Sequence, residues 1–123
     1  MINKSILHSC HLEGFKEKDV YGAYKIFFGT LVSESRLKII NILRKKRMNV
    51  SELINELRAD QTAVSHDLAR LRQCGFVETE KEGKFVNYYL SEDIREMMHL
   101  IDEHMDKYCI HILHEMEGGQ NKK

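Results

Sequence analysis

The sequence predicts a mostly helical α+β domain, and three observations carry that prediction. From Val50 to Leu90 the chain reads as a short helix, a tight turn, a second helix and two strands around a glycine. The second helix keeps Val64, Leu68 and Leu71 at spacings of four and three, facing a core, while Gln61, Thr62, Ser65, His66 and Arg70 face outward. Apolar helical patterns flank this unit on both sides. The whole is the pattern of a winged helix-turn-helix with a two-stranded wing, extended by N- and C-terminal helices that form a dimer interface.

Taken in order, residues 1–14 show no periodicity and read as a flexible N-terminal segment holding His8, Cys10 and His11. Residues 15–117 read as a single winged-helix domain, and 118–123 as a C-terminal tail. Phe15 to about Val32 is helical by pattern, since Val20, Tyr24, Phe27 and Leu31 recur at four, three and four. Tyr21 and Phe28 widen that stripe, which is too apolar to be left in water. Ser33 or Ser35 caps the next helix, where Leu37, Ile39, Ile40, Ile42 and Leu43 leave little face exposed.

Leu53, Ile54 and Leu57 share one stripe of the short helix beginning at Ser51. Arg58–Ala59–Asp60 interrupts it, and Asp60 offers an N-cap oxygen to the recognition helix of about 61–73. Gly75 ends that helix. Phe76–Glu80 and Lys84–Leu90 follow as the wing (about 76–90) around Lys81–Glu82–Gly83. Ser91 caps one last helix of about 92–116, whose Ile94, Met98, Ile101, Met105, Tyr108 and Ile112 form a heptad-like seam. A seam this long exceeds the needs of so small a core, so the first and last helices are expected to join two copies.

The 123-residue length suits one core. A formal net charge of zero hides an asymmetry. Glu34 to Tyr88 holds eleven Lys/Arg against eight Asp/Glu, while Ser91 to Glu117 holds two against eight. Positive charge is densest at Arg44–Lys45–Lys46–Arg47, and phosphate contacts depend on local charge. The same four residues also suit a helix C-terminal turn, where cations oppose the dipole. The outward amide, hydroxyl, imidazole and guanidinium groups of the second helix match base edges and phosphates in the major groove of double-stranded DNA.

Other classes fit less well. No apolar run of about 18 residues appears, and no basic-apolar leader, so the expectation is a cytoplasmic protein without a membrane span. The three scattered cysteines read as reduced thiols, with Cys74 as small buried packing. No Gly-rich phosphate loop is present, and Ser65–His66–Asp67 fans around a helix at about 100° per residue, so it is not a catalytic triad. An enzyme is not expected.

Three motifs, in order, resemble the ArsR/SmtB family of winged-helix repressors. Leu31 to Leu43 resembles the family's entry segment, in which Ser/Thr-Arg-Leu precedes the buried helix; here it is Ser35–Arg36–Leu37. Asp60–Gln–Thr–Ala–Val–Ser–His–Asp–Leu68 resembles its recognition-helix signature. Lys81–Glu–Gly–Lys–Phe–Val–Asn–Tyr–Tyr–Leu90 resembles its wing. The resemblance implies a dimeric, sequence-specific DNA-binding repressor. Gln61, Thr62, Ser65 and His66 then match groove-facing positions, Arg70 a backbone phosphate, and Lys84 the adjacent minor groove or its phosphates. The alternatives are a regulator with no metal response and a winged-helix protein-interaction module, though such modules usually lose the polar recognition face.

The resemblance also implies an effector, often a metal. The family's thiolate stretch on the second helix reads here Asn49–Val50–Ser51–Glu52–Leu53, without thiols, so that site is absent. Its site on the last helix falls on Asp93, Arg95, Asp106 and Cys109, of which Arg95 is not a ligand. Separately, His111 and His114 stand three apart and His104 falls within about 20° of His111 on a continuous helix, a candidate set for zinc, nickel or cobalt. No cofactor is required for the fold. His8, Cys10 and His11 form a second cluster at the N-terminus.

Overall fold

The computed structural model describes residues 14–121, so the His8, Cys10 and His11 cluster lies outside the described residues. Among these are six helices and two strands: α1 (Glu17–Leu31), α2 (Glu34–Leu43), α3 (Val50–Leu57), α4 (Gln61–Gln73), β1 (Val77–Glu82), β2 (Phe85–Leu90), α5 (Glu92–Lys107) and α6 (Cys109–Asn121). This is the expected winged helix-turn-helix with flanking helices. None of the helices is long and apolar enough to cross a membrane.

α2 is the central element, as its crowded apolar pattern predicts. Ile39, Ile40 and Leu43 are buried against Leu53 of α3, Val64, Leu68 and Leu71 of α4, Phe76 and Val77, Leu90 of β2, and Ile94 and Met98 of α5. Ser33 caps α2 by accepting from the Arg36 amide at 3.3 Å. α1 docks through Val20, Thr30 and Phe27, whose ring lies 5.2 Å from that of Phe76.

The turn between α3 and α4 is made without glycine. Asn49 starts α3 one residue earlier than expected, through a reciprocal pair with Glu52 in which each side chain accepts the other's amide at 2.9 Å. Arg58 ends it in the left-handed region, at φ 54° and ψ 44°. Asp60 then caps α4 by accepting from the Ala63 amide at 3.1 Å.

In the wing, β1 and β2 pair antiparallel from Val77 opposite Leu90 to Glu82 opposite Phe85. Lys81 and Glu82 are therefore ladder residues, and the reversal falls on Gly83–Lys84, with Gly83 at φ +63° supplying it. Met48 bridges to Tyr88 on the inner strand, by amide bonds of 3.2 and 2.8 Å in the two directions.

The single last helix expected over about 92–116 is two helices. Tyr108 (φ −128°, ψ −70°) still donates to the His104 carbonyl at 3.0 Å, but its own carbonyl accepts from His111 and Ile112, which begins α6. Periodicity reports which residues share a face and is blind to a backbone break that leaves both sides helical. The seam leaves the core before the break: Ile94 and Met98 are buried, Ile101 is half-buried, and Met105, Tyr108 and Ile112 are exposed. Its first half closes this chain's core, and its second half is left outside that core, with Tyr108 meeting only the neighbouring His104 ring at 4.8 Å among the described residues. Ser91 holds the cap position of α5, yet its hydroxyl donates to the Gly75 carbonyl at 2.6 Å, tying the end of α4 to the start of α5.

Candidate nucleic-acid interface

α4 is immobilised on three sides. Its apolar stripe sits in the core, its first turn is capped by Asp60, and Asp67 anchors its middle. The Asp67 carboxylate accepts from Ser35 Oγ at 2.6 Å and from Arg36 Nη1 at 3.3 Å. The rest of the Arg36 fork reaches the end of α1, with Nε donating to the Thr30 carbonyl at 2.8 Å and Nη2 to the Gly29 carbonyl at 3.2 Å. Those are carbonyls that a helix terminus leaves unpaired. The Ser35–Arg36 pair noted in the sequence therefore joins α1, α2 and α4.

Away from these anchors, Gln61, Thr62, Ser65 and His66 are all exposed, and among the described residues their side chains make no hydrogen bond. Lys84 is exposed in the wing turn itself. These five side chains are free to meet a ligand on the surface that α4 and the wing share.

Arg70 is placed differently from the outward position expected for it. It is half-buried, and its Nε donates to Thr30 Oγ1 at 2.9 Å. Thr30 in turn donates its one proton to the Ile26 carbonyl at 2.7 Å, so Cys74, 3.3 Å away, is the donor to Thr30. The cause is rotational, since nine residues past Gln61 the helix has turned about 180°, toward α1. Arg72 lies about 20° from both Gln61 and Ser65, is exposed, and makes no side-chain pair among the described residues. Sequence reasoning passed over it, although its spacings of eleven and seven from those residues carry the signal.

The basic run Arg44–Arg47 is half neutralised. Arg44 pairs with Asp102 of α5 at 2.7 Å, and Arg47 pairs with Glu80 of β1 while lying 4.2 Å over the Tyr89 ring. Lys45 and Lys46 remain exposed. Part of the acidic charge of the last helices thus serves to hold α2.

The candidate metal residues are not brought together. Arg95, in the family's ligand register, donates to the carbonyls of Arg44 at 2.9 Å and Leu43 at 3.3 Å, capping α2. Asp93, Asp106 and Cys109 are exposed, with Asp106 near the end of α5 and Cys109 beyond the break on α6. His104 is on α5, whereas His111 and His114 are on α6 beyond the break, so the single-face geometry expected for them does not hold. Among the described residues no three His, Cys, Asp or Glu side chains are gathered to hold a metal ion. The donors among the described residues of one chain do not fit such a site.

A recognition helix seated on a core, with amide, hydroxyl and imidazole groups exposed beside a wing, defines a winged-helix DNA-binding regulator. The family model described as bacterial regulatory protein, arsR family, matches residues 33–79. The chain is 37% identical over 71 residues to an uncharacterized HTH-type transcriptional regulator of Methanocaldococcus jannaschii, covering 56% of this chain and 80% of that one. It is 35% identical over 77 residues to the transcriptional activator HlyU of Vibrio cholerae, covering 62% and 71%. A solved structure of that HlyU superposes with a TM-score of 0.61 at 33% identity, over 76% of this chain and 99% of that one. A homodimeric winged helix-turn-helix domain from Mycobacterium bovis shares the fold, with a TM-score of 0.69 at 20% identity over 88% and 93%. The chain belongs to the ArsR family of transcriptional regulators, which are DNA-binding proteins and not enzymes.

Proposed function

We propose that this chain is a homodimeric, sequence-specific transcriptional repressor of the cytoplasm whose hold on its operator is changed by an effector. The observation that carries the DNA reading is the exposed row Gln61, Thr62, Ser65 and His66 on a helix whose other faces are pinned. Gln61 and Thr62, in the first turn, reach base edges; Ser65, His66 and Lys84 meet bases or phosphates, and Arg72 a phosphate. Two copies would present two such helices to two half-sites.

The dimer reading is supported by apolar surface that the described residues leave open: Tyr21 and Phe28 on α1, and Tyr108, Ile112 and Met116 around α6, are each more than half exposed. The fold relative from Mycobacterium bovis is itself homodimeric. A metal effector is read at His111 and His114 of α6, completed by donors from a second copy.

The test is fluorescence anisotropy of labelled DNA from upstream of the gene, first in chelator and then with zinc. Binding at least about 10³-fold tighter than to scrambled DNA is expected; equal affinity for both sequences sinks the repressor reading. Release by zinc that disappears in the His111→Ala/His114→Ala double variant would assign the metal to α6. Release that survives in the double variant would remove it from there.

A further inference from the structure

We propose that the cleft between α1 and the C-terminal half of α4 binds a small organic anion, a carboxylate on a short apolar chain. The cleft holds about 510 Å³, with Ala23, Ile26 and Phe27 on one wall and Arg70, Gln73 and Cys74 on the other. That volume lies within the range of small-molecule sites. The Ala23–Phe27 wall rises about 6 Å along its helix, which with the reach to Arg70 suits a chain of roughly six to eight carbons.

Arg70 supplies the charge. Thr30 Oγ1 holds its Nε at 2.9 Å, and Thr30 is fully buried and itself fixed to the Ile26 carbonyl. Among the described residues the two terminal nitrogens of Arg70 have no protein acceptor. A planar cation oriented through one nitrogen and open at the other two is a bidentate seat for a carboxylate. An inorganic anion would leave the apolar wall in water, and a neutral hydrocarbon would leave the guanidinium to water alone. Both halves of the cleft are satisfied only by a molecule with both characters.

Ile26, the outer wall of the cleft, stands away from the surface assigned to the second copy. On α1, Ile26 lies about 140–160° around the helix from Tyr21, Tyr24 and Phe28, the aromatic face assigned above to the dimer. The cleft therefore opens on the Ile26 side of α1, with Phe27 as the wall it shares with the aromatic face, 5.1 Å from the Phe28 ring. A ligand there bridges α1 to the recognition helix, so it is also placed to act as the effector; that consequence rests on the repressor reading, whereas the binding does not.

The experiment is methyl NMR of the ¹³C-labelled full chain, without DNA, titrated with sodium octanoate and separately with 1-octanol. Saturable shifts of the Ala23 and Ile26 methyls are expected, with octanoate at least about tenfold tighter than octanol, as a charge-assisted bond implies. Arg70→Gln should erase that preference. Ala23→Phe, at an exposed position, should abolish both titrations and carries the test if Arg70→Gln does not fold. No saturable shift, shifts confined to the Ile, Leu and Met methyls of α6, or octanoate affinity unchanged in Ala23→Phe would overturn the site. In the anisotropy assay, octanoate should weaken operator binding by the wild type and not by Ala23→Phe; unchanged operator affinity at saturating octanoate would remove its role as effector. Failure to bind DNA with no octanoate present would sink the repressor reading and leave the cleft result standing.

Discussion

Arg36 reaches from the first turn of α2 to both neighbouring helices, and its side chain is only 20% exposed. Removing it strands two backbone carbonyls of α1 and leaves Asp67 with Ser35 as its remaining side-chain partner. Arg36→Ala is therefore expected to cost about 2–3 kcal/mol in urea unfolding. Lys at this position should recover little, because one ammonium does not span three separated acceptors as a guanidinium fork does. At the DNA surface, Gln61→Ala should cost about 1–3 kcal/mol on the operator and almost nothing on scrambled DNA. Equal loss on both would refute a base contact. Arg72→Ala should lower the slope of log affinity against log salt by about 1.8 for a dimer on two half-sites, the signature of one phosphate contact per copy, whereas Arg70→Ala should lower stability with little change of slope.

At the scale of elements, the turn between α3 and α4 stores strain that the wing turn avoids. Arg58 occupies the left-handed region with a Cβ, while Gly83 meets its positive φ without one. Arg58→Gly should be neutral or stabilising by up to about 1 kcal/mol, since relief of strain is offset by a freer unfolded chain. Arg58→Val should destabilise by about 1–2 kcal/mol, a β-branched residue being least tolerant there. Thermal unfolding of the pair checks the sign, and a more stable Val variant would contradict the assigned backbone. No atom lies within 4 Å of a Cβ built at Gly83, so Gly83→Ala measures backbone strain alone.

For the molecule as a whole, the proposed contact between two copies lies along α1 and α6. Ile112 is 55% exposed and outside the core, so Ile112→Glu should leave the folding of one chain nearly unchanged. If α6 joins two copies, the same variant buries a charge at their interface and should raise the dimer dissociation constant by tenfold or more, about 1.4 kcal/mol. Sedimentation velocity over a concentration series reads the shift, and operator affinity should fall with it. An unaltered dimer in this variant would move the interface away from α6.

Helical and strand periodicity, the caps at Ser33 and Asp60, and the order of the three motifs determined the winged helix-turn-helix and its family, because these depend on local spacing and on which face is apolar. The exposed row Gln61, Thr62, Ser65 and His66 was legible for the same reason, being the complement of Val64, Leu68 and Leu71 on one helix. Other features depended on what stands opposite a residue in space, which no spacing along the chain records. Thr30, forty residues away in sequence, turns Arg70 inward; Asp102 and Glu80 take up half of the basic run; and the carbonyls of Leu43 and Arg44 engage Arg95 where a metal ligand would stand. The break at Tyr108 belongs with these, since beyond Ile101 the seam runs past the core of its own chain.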